Sequence, residues 1–172
     1  MRRPEPTRWL WAPWRMPYMR KVVKPADPSD CFFCAYVRAP KRDRKNLVLL
    51  RGKTCLVVLN RYPYLSGHLL VAPLAHKGEL ALLGPAERAE LFDLLVRMEA
   101  ALRKAFKAHG FNVGLNLGRA AGAGLPGHLH FHVVPRWTGD TNFMTAVGQT
   151  KVIPQALEDT YRQLQKTLRN GR

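Results

Sequence analysis

Three histidines at alternating positions are the side chains of this chain best suited to chemistry: His128, His130 and His132. Successive side chains of a β-strand point to opposite faces, so a strand here presents three imidazoles on one face and apolar groups on the other. Imidazole titrates near neutral pH and can act as a nucleophile, an acid, a base or a metal ligand. The spacing therefore predicts a functional histidine site on a strand that Pro135 closes.

A Cys-x-x-Cys pair, Cys31 and Cys34, is a second candidate site. The spacing lets both thiolates reach one metal ion, but thioredoxin-like redox pairs share it. Tetrahedral zinc would need two further ligands. The residues alone leave a metal site and a redox pair open. The third cysteine, Cys55, lies in an apolar run and is expected in the core.

A loop rich in small residues, at positions 118–127, leads into the histidine strand. Glycines such as Gly122 and Gly124 allow backbone N–H groups to come close to a phosphate. The position of this loop, immediately before the histidines, predicts an anion cradle beside the reacting group.

The composition is that of one folded domain with a basic surface. The chain has 172 residues, 47% of them hydrophobic, and no apolar run approaches the roughly 18 residues that span a bilayer. We expect a cytoplasmic protein, because no secretory signal is seen and an odd number of cysteines argues against a disulfide framework. The net charge of +16 suits an anionic substrate. The basic residues are scattered along the sequence, which favours a solvated basic surface over a nucleic-acid groove.

The patterns around these sites predict an α+β fold. We expect an antiparallel sheet of about five strands, with strands at residues 47–50, 55–59, 68–72 and 111–117 beside the histidine strand. A long helix is predicted from Pro85, with Gly110 just after its end, and a final helix from Pro154. Residues 1–30 are expected to form a Trp- and Pro-rich arm, residues 31–150 the main domain, and residues 151–172 the C-terminal helix and tail.

The string His128-Leu-His130-Phe-His132-Val-Val resembles the signature of the histidine triad (HIT) superfamily, in which His alternates with apolar residues. Residues 59–73, which begin with Leu59-Asn60, resemble the nucleotide-pocket strands of that family. Residues 110–118 and 134–143 resemble one branch in particular, the bacterial diadenosine tetraphosphate phosphorylases and their relatives. The resemblance covers nearly the whole chain and implies a HIT-like fold.

The resemblance also implies a role for each histidine. His130 is expected to attack an α-phosphorus and form a nucleotidyl-histidine, His132 to contact the phosphate and help the leaving group, and His128 to support the geometry. Contacts to the nucleotide are expected from Asn60, Asn116, Gly122, Gly124, His130, His132 and Trp137. Many HIT hydrolases carry Gln at the position of Gly124, a departure that weakens the transfer of their chemistry to this chain.

The metal site is completed by the same resemblance. Many bacterial HIT proteins, and the related galactose-1-phosphate uridylyltransferases, add two histidines to a cysteine pair. The corresponding set here is Cys31, Cys34, His76 and His128. A zinc ion held in this way is expected to be structural and to tie the N-terminal segment to the sheet. The family further implies a homodimer.

Several functions remain open at this point. The flanking segments favour transfer of a nucleotidyl group from a dinucleoside polyphosphate to inorganic phosphate. Hydrolysis of the same substrate, or of a nucleoside phosphoramidate as in the HINT branch, is an alternative. Two alternative hypotheses concern other classes of protein. One is a zinc-containing module that binds nucleotides or nucleic acid without turnover, and the other is a redox protein that uses Cys31 and Cys34.

Overall fold

A computed structural model describes residues 30–140 and 153–170. The predicted N-terminal arm, apart from its last residue, lies outside the described residues. So does the segment 141–152, which contains the predicted boundary between the main domain and the C-terminal helix.

Five strands form one antiparallel sheet, as the sequence predicts. The strands are β1 (Val48–Arg51), β2 (Cys55–Leu59), β3 (Leu69–Pro73), β4 (Gly110–Gly114) and β5 (Phe131–Arg136). Their order across the sheet is β1-β2-β3-β5-β4, and every neighbouring pair is antiparallel. The histidine strand β5 therefore lies between β3 and β4, where both of its edges are paired.

Among the described residues, three α-helices accompany the sheet: α1 (Phe32–Arg38), α2 (Pro85–Phe106) and α3 (Leu157–Arg169). Helices α2 and α3 pack on the same face, because the apolar stripe of α2 and residues of α3 such as Leu164 share one core cluster with the sheet. The opposite face carries a smaller cluster that includes Cys31 and Phe33 at the start of α1. The α+β prediction, with the long helix on one face, is confirmed.

The two central strands are buried on both faces, which explains their continuous apolar sequence. In β2, Cys55 and Val57 face the helices, whereas Leu56 and Val58 face the smaller cluster. Cys55 is completely buried, as expected, and burial raises the pKa of its thiol. The two buried strands are β2 and β3, and the histidine strand β5 pairs with the edge of β3.

Several predicted boundaries are wrong. Pro135 does not close the histidine strand, because β5 continues through it to Arg136, which pairs with Gly110. Helix α2 ends at Phe106 and not just before Gly110, because Lys107 adopts a left-handed conformation with φ of 52° and closes the helix through its N–H to Arg103. The strand predicted to reach residue 117 ends at Gly114, since its partner β5 begins only at Phe131. The final helix begins at Leu157, three residues after Pro154.

Within the described residues, no helix combines the length and the apolar character needed to cross a membrane.

Candidate active site

Only one of the three triad histidines lies in a regular strand. His132 belongs to β5, whereas His128 and His130 precede it in non-strand backbone, which corrects the prediction of one strand through all three. The pairing of β5 with β3 would place Leu129 opposite Pro73, which has no N–H to donate. The Leu129 N–H instead bonds to the Lys77 carbonyl at 2.6 Å, so the ladder stops before the first two histidines.

The predicted alternation of faces nevertheless holds. Leu129 and Val133 are buried in the cluster under the helices, with Phe131 packed against it. The rings of the histidines form a chain on the other face, where His130 and His132 have centroids 5.0 Å apart. The sequence pattern thus places the imidazoles correctly even though the hydrogen-bonded strand is shorter than predicted.

The backbone fixes which nitrogen of His130 is available for attack. Its Nδ1 lies 2.9 Å from the carbonyl oxygen of His128. A carbonyl can only accept a hydrogen bond, so Nδ1 of the neutral ring carries the proton and Nε2 keeps its lone pair. Burial lowers the pKa of His130, which keeps the ring neutral near pH 7. His130 is therefore oriented as a nucleophile through Nε2.

A second histidine outside the triad, His68, fixes the proton of His132. Nδ1 of His68 accepts the Tyr64 N–H at 3.1 Å and lies 3.2 Å from the Asn60 side-chain amide. Its proton must therefore sit on Nε2, which donates to Nδ1 of His132 at 2.9 Å. The remaining nitrogen of His132, Nε2, then carries a proton. His132 thus presents a donor beside the lone pair of His130.

Burial keeps both outer histidines of the triad neutral. Burial is the largest cause that lowers the pKa of His132 to about 4, and repulsion from His130 whenever that ring is protonated adds to it. The pKa of His128 is also lowered to about 4, again mainly by burial, against a hydrogen bond to Pro73 that raises it. Neutral rings with fixed protons can serve as a nucleophile and as a hydrogen-bond donor at physiological pH.

Aromatic rings hold the histidines from two sides. Tyr64 stacks on His68 with centroids 4.7 Å apart and lies parallel to His132 at 6.0 Å. Phe33, which is completely buried, lies 4.9 Å from the His128 ring and 5.4 Å from the His130 ring. These contacts restrict ring rotation, so the hydrogen-bond directions described above are maintained.

The four predicted metal ligands converge in one cluster, Cys31, Cys34, His76 and His128, with ligand atoms that all lie within 4.8 Å of one another. The Cys31 Sγ to His128 Nδ1 and the Cys34 Sγ to His76 Nδ1 distances are both 3.3 Å, and Cys34 Sγ to His128 Nδ1 is 3.7 Å. Metal–ligand bonds of about 2.0–2.3 Å at a tetrahedral centre place neighbouring ligand atoms about 3.3–3.8 Å apart. The cluster can therefore hold a tetrahedral metal ion.

The surroundings of the cluster also fit a metal. Nε2 of His128 donates to the Pro73 carbonyl at 2.9 Å, which leaves the Nδ1 lone pair facing the two sulfur atoms. Burial raises the pKa of the Cys31 thiol to about 11, so the thiolate is disfavoured in the absence of a cation. A bound metal ion would supply the positive charge that stabilises it.

The predicted nucleotide contacts differ in the hydrogen bonds that they make. The Asn60 side-chain oxygen accepts the Tyr62 N–H, while its amide nitrogen faces His68. In the glycine loop the Gly122 N–H donates to Arg119 and the Asn116 amide approaches the Gly122 carbonyl at 3.5 Å. These groups build the loop, and the half-buried Gly124 follows them toward the first triad histidine.

Trp137, also predicted to contact the nucleotide, is anchored at the end of β5. Its indole N–H donates to the Phe106 carbonyl at the end of α2, at 3.1 Å, and its backbone N–H donates to Asp140. Arg136 holds the same carboxylate through two nitrogens, at 2.5 and 2.7 Å. The loop that follows the histidine strand is therefore fixed as far as Asp140, where the first described range ends.

Sequence reasoning missed His68 and Tyr64 as parts of the histidine site. His68 was predicted only as a strand residue. The signal that could have found it is a lone imidazole in an otherwise apolar strand, because a buried histidine requires a polar partner. His68 is completely buried, and that partner is His132, which lies far from it in sequence.

Comparison with known proteins agrees with this geometry. The HIT domain family model matches residues 41–139. The AP-4-A phosphorylase of Mycobacterium tuberculosis is 46% identical over 158 residues, covering 90% of this chain and 81% of that protein. The asymmetrical bis(5'-nucleosyl)-tetraphosphatase of Schizosaccharomyces pombe is 34% identical over 93 residues, which cover 54% of this chain and 50% of the relative.

A solved structure is similar over most of its length. The crystal structure of a Zn-bound histidine triad family protein from Mycobacterium smegmatis superposes with a TM-score of 0.67 at 30% identity, covering 83% of this chain and 95% of that one. The family match covers more than half of the chain and includes all three triad histidines and His68. The chain therefore belongs to the HIT family, on the branch of the diadenosine tetraphosphate phosphorylases.

Proposed function

We propose that this protein is a nucleotidyltransferase that cleaves dinucleoside polyphosphates, with diadenosine tetraphosphate as substrate and inorganic phosphate as acceptor. The observation that carries the proposal is the pair of neighbouring imidazoles with opposite proton positions. Nε2 of His130 offers a lone pair, while Nε2 of His132 offers a proton, and the two rings are 5.0 Å apart. A phosphate group between them would meet a nucleophile and a donor together.

The first step forms a covalent intermediate. Nε2 of His130 attacks the α-phosphorus, a P–N bond forms, and the P–O bond to the β-phosphate breaks. The leaving group is ATP, and AMP stays bound to His130. His132 donates a hydrogen bond to the phosphate, which stabilises the negative charge that develops on the leaving side. His68 acts as a positioning residue, since it holds the proton of His132 on Nε2.

The second step returns the enzyme to its starting state. An oxygen of inorganic phosphate attacks the same phosphorus, the P–N bond breaks, and ADP leaves. The overall products are ADP and ATP. If water took the place of phosphate, the products would be AMP and ATP, and the enzyme would be a hydrolase. The 46% identity to the AP-4-A phosphorylase supports phosphate as the acceptor, and the shorter match to the tetraphosphatase keeps water as the alternative.

The remaining parts of the site follow from the same proposal. We assign the ribose and phosphate contacts to Asn60, Asn116, Gly122, Gly124 and Trp137, as the family resemblance implies. We assign zinc to the cluster of Cys31, Cys34, His76 and His128, because its soft sulfur and imidazole ligands at tetrahedral spacing suit that ion. The zinc would join α1 to the segment before β5 and take no part in the reaction.

Two properties of the whole protein belong to the proposal. We place it in a reducing cytoplasm, where thiols such as the free Cys31, Cys34 and Cys55 persist. We also propose a homodimer, since β4 is an edge strand of the sheet and its residue Val113 is 50% exposed.

The test is product analysis with diadenosine tetraphosphate in the presence and absence of inorganic phosphate. ADP and ATP that appear only with phosphate are the expected result. AMP and ATP in both reactions would replace the phosphorylase by a hydrolase. The absence of turnover in both reactions would favour the hypothesis that the enzyme hydrolyses nucleoside phosphoramidates. Assays with nucleoside phosphoramidates as substrates would then test that hypothesis. Zinc content, measured on the same preparation and on Cys34→Ser, is expected to fall from one ion per chain to a small fraction.

A further inference from the structure

A cluster of cationic side chains lies outside the histidine site. Five basic side chains line one groove of about 570 Å³: Lys41, Arg42, Arg44, Lys45 and Arg61, together with the carboxylate of Glu158. We refer to this set as the basic groove. None of its lining residues belongs to the triad, to the metal cluster or to the predicted nucleotide contacts. Four of the five cations lie within residues 41–45, and the fold adds Arg61 to them.

The cations of the groove stand on a rigid support. The turn that carries them is closed by hydrogen bonds from Asn46 to Arg42 at 2.8 Å and from Val48 to Asp43 at 2.9 Å. Leu47, which forms part of the groove floor, adopts a left-handed conformation with φ of 59°, an unfavourable one for leucine. Arg61 crosses from another loop and donates to the Lys45 carbonyl at 3.0 Å. These contacts therefore hold the charges close together.

Little negative charge within the chain is available to the groove. Six carboxylates of the described residues form ion pairs, and of these only the pair of Glu158 with Arg44 lies in the groove. No ion pair between described residues involves Lys41, Arg42 or Lys45. Residues 1–29 carry seven basic side chains and two acidic ones, a net positive charge. Holding like charges together is unfavourable unless an external anion binds.

The lining of the groove selects the kind of anion. Guanidinium and ammonium groups together suit phosphate oxygens, which they bind by bidentate and point-charge contacts. The described lining residues include no aromatic ring on which a base could stack, unlike the sites that hold single-stranded nucleic acid. The apolar part of the lining is confined to Leu47 and Leu157. A phosphate chain fits this chemistry, whereas a nucleobase does not.

We propose that the basic groove binds an oligophosphate chain, at a site separate from the histidines. The chain can be free inorganic polyphosphate or the triphosphate of a nucleotide whose base stays outside. Lys41, Arg42, Lys45 and Arg61 supply the contacts, and Arg44 joins them if the ligand displaces Glu158. This site does not depend on the reaction proposed above.

Lysine footprinting of the full-length protein tests the proposal. The rates of acetylation of individual lysines are measured by mass spectrometry with tripolyphosphate, with ATP, with an RNA oligomer, or with sodium chloride of matched ionic strength. Tripolyphosphate is expected to slow the acetylation of Lys41 and Lys45 several-fold and to leave the exposed Lys104 and Lys166 unchanged. Equal protection by ATP would show that the groove accepts the triphosphate of a nucleotide, and protection by tripolyphosphate alone would point to free polyphosphate.

Calorimetric titration with tripolyphosphate provides a second readout. The triple variant K41Q/R42Q/K45Q is compared with R97Q/K104Q/K166Q, which removes the same charge from exposed positions elsewhere. The groove variant is expected to lose about tenfold in affinity for the groove site, which corresponds to about 1.4 kcal/mol, and the matched control to lose little. Equal losses in both variants, uniform protection of all lysines, or protection by RNA alone would overturn the proposal.

Discussion

At the scale of single residues, backbone groups decide the chemistry of the imidazoles. The His128 carbonyl holds the proton of His130 on Nδ1, and the Tyr64 N–H sets the tautomer of His68 and thereby that of His132. Neither effect requires a charged partner. Because backbone donors and acceptors cannot exchange roles, the proton positions are a property of the fold and persist over the pH range in which the rings are neutral.

His68 is expected to be needed for turnover although it does not touch the reacting atoms. His68→Leu removes the donor to His132 and is expected to lower kcat by about 10²-fold, with a smaller change in KM. His68→Gln can place an amide N–H near the position of Nε2 and is expected to restore part of kcat. Steady-state kinetics on folded variants measure both. An unchanged kcat in His68→Leu would remove His68 from the mechanism.

The buried histidines also predict how stability depends on pH. Burial lowers the pKa of His132 and of His128 to about 4 from the ordinary 6.5. Between these values the unfolded chain binds protons that the folded protein does not. The free energy of unfolding therefore decreases as pH falls from about 6.5 to about 4, by up to about 1.4 kcal/mol per pH unit for each histidine.

Urea unfolding at several pH values, on protein from which a chelator has removed metal, measures how the free energy of unfolding changes with pH. His132→Asn, which cannot be protonated, is expected to give a shallower slope than the unchanged protein. Equal slopes in the two proteins would show that His132 titrates normally in the folded state.

At the scale of elements, the site depends on where the pairing of β3 with β5 stops. Pro73 has no N–H with which to continue the ladder, and its carbonyl accepts a hydrogen bond from Nε2 of His128. The Leu129 N–H donates instead to the carbonyl of Lys77. The hydrogen bond from Leu129 to Lys77 brings the loop that carries His76 against the segment before the triad. Gly78 lies so close to that segment that a Cβ there would be 2.7 Å from the Pro126 carbonyl oxygen.

Gly78→Ala is expected to destabilise the protein by about 1–3 kcal/mol, because the added methyl group must displace backbone. It is also expected to lower zinc affinity, since His76 and His128 lie on the two segments that move apart. Gly114→Ala is the matched control, because a Cβ there meets no atom within 4 Å. Thermal unfolding and zinc content of both variants provide the measurement, and equal stability of the two variants would contradict the close approach.

Element boundaries also mark how far the sequence could predict the structure. The types and order of the strands and of the long helix follow from local periodicity, which is why those predictions succeed. The ends fail where they depend on partners: β4 stops at Gly114 because β5 begins at Phe131. The end of α2 at Phe106 results from a lysine in a left-handed conformation, which composition does not reveal.

At the scale of the whole molecule, the net charge of +16 acts on any polyphosphate before it reaches the site. A positive field raises the rate of encounter with an anionic substrate, and salt screens it. We expect kcat/KM for diadenosine tetraphosphate to fall about tenfold as ionic strength rises from low to high, with kcat nearly unchanged. A kcat/KM that does not vary with salt would exclude electrostatic steering.

Long-range contacts limit what the sequence predicts about the site. The triad could be found from the sequence because its members are only two residues apart. The metal ligands are distant in sequence and could be found only through the family resemblance; the structure brings all four of them together. The contact of His68 with His132 joins positions 64 residues apart, and no local pattern reports it. The basic groove was missed because the basic residues were interpreted as a solvated surface, and Arg61 joins the cations of residues 41–45 only after folding.

The most direct test of the proposed function is to trap the intermediate on His130. Protein is mixed with diadenosine tetraphosphate in the absence of phosphate, quenched at alkaline pH to preserve the P–N bond, digested, and analysed by mass spectrometry. One adenylyl group on His130 is the predicted result, with none on His130→Ala, which is expected to retain its zinc. Turnover without an adduct, or an adduct on another residue, would contradict nucleophilic catalysis by His130.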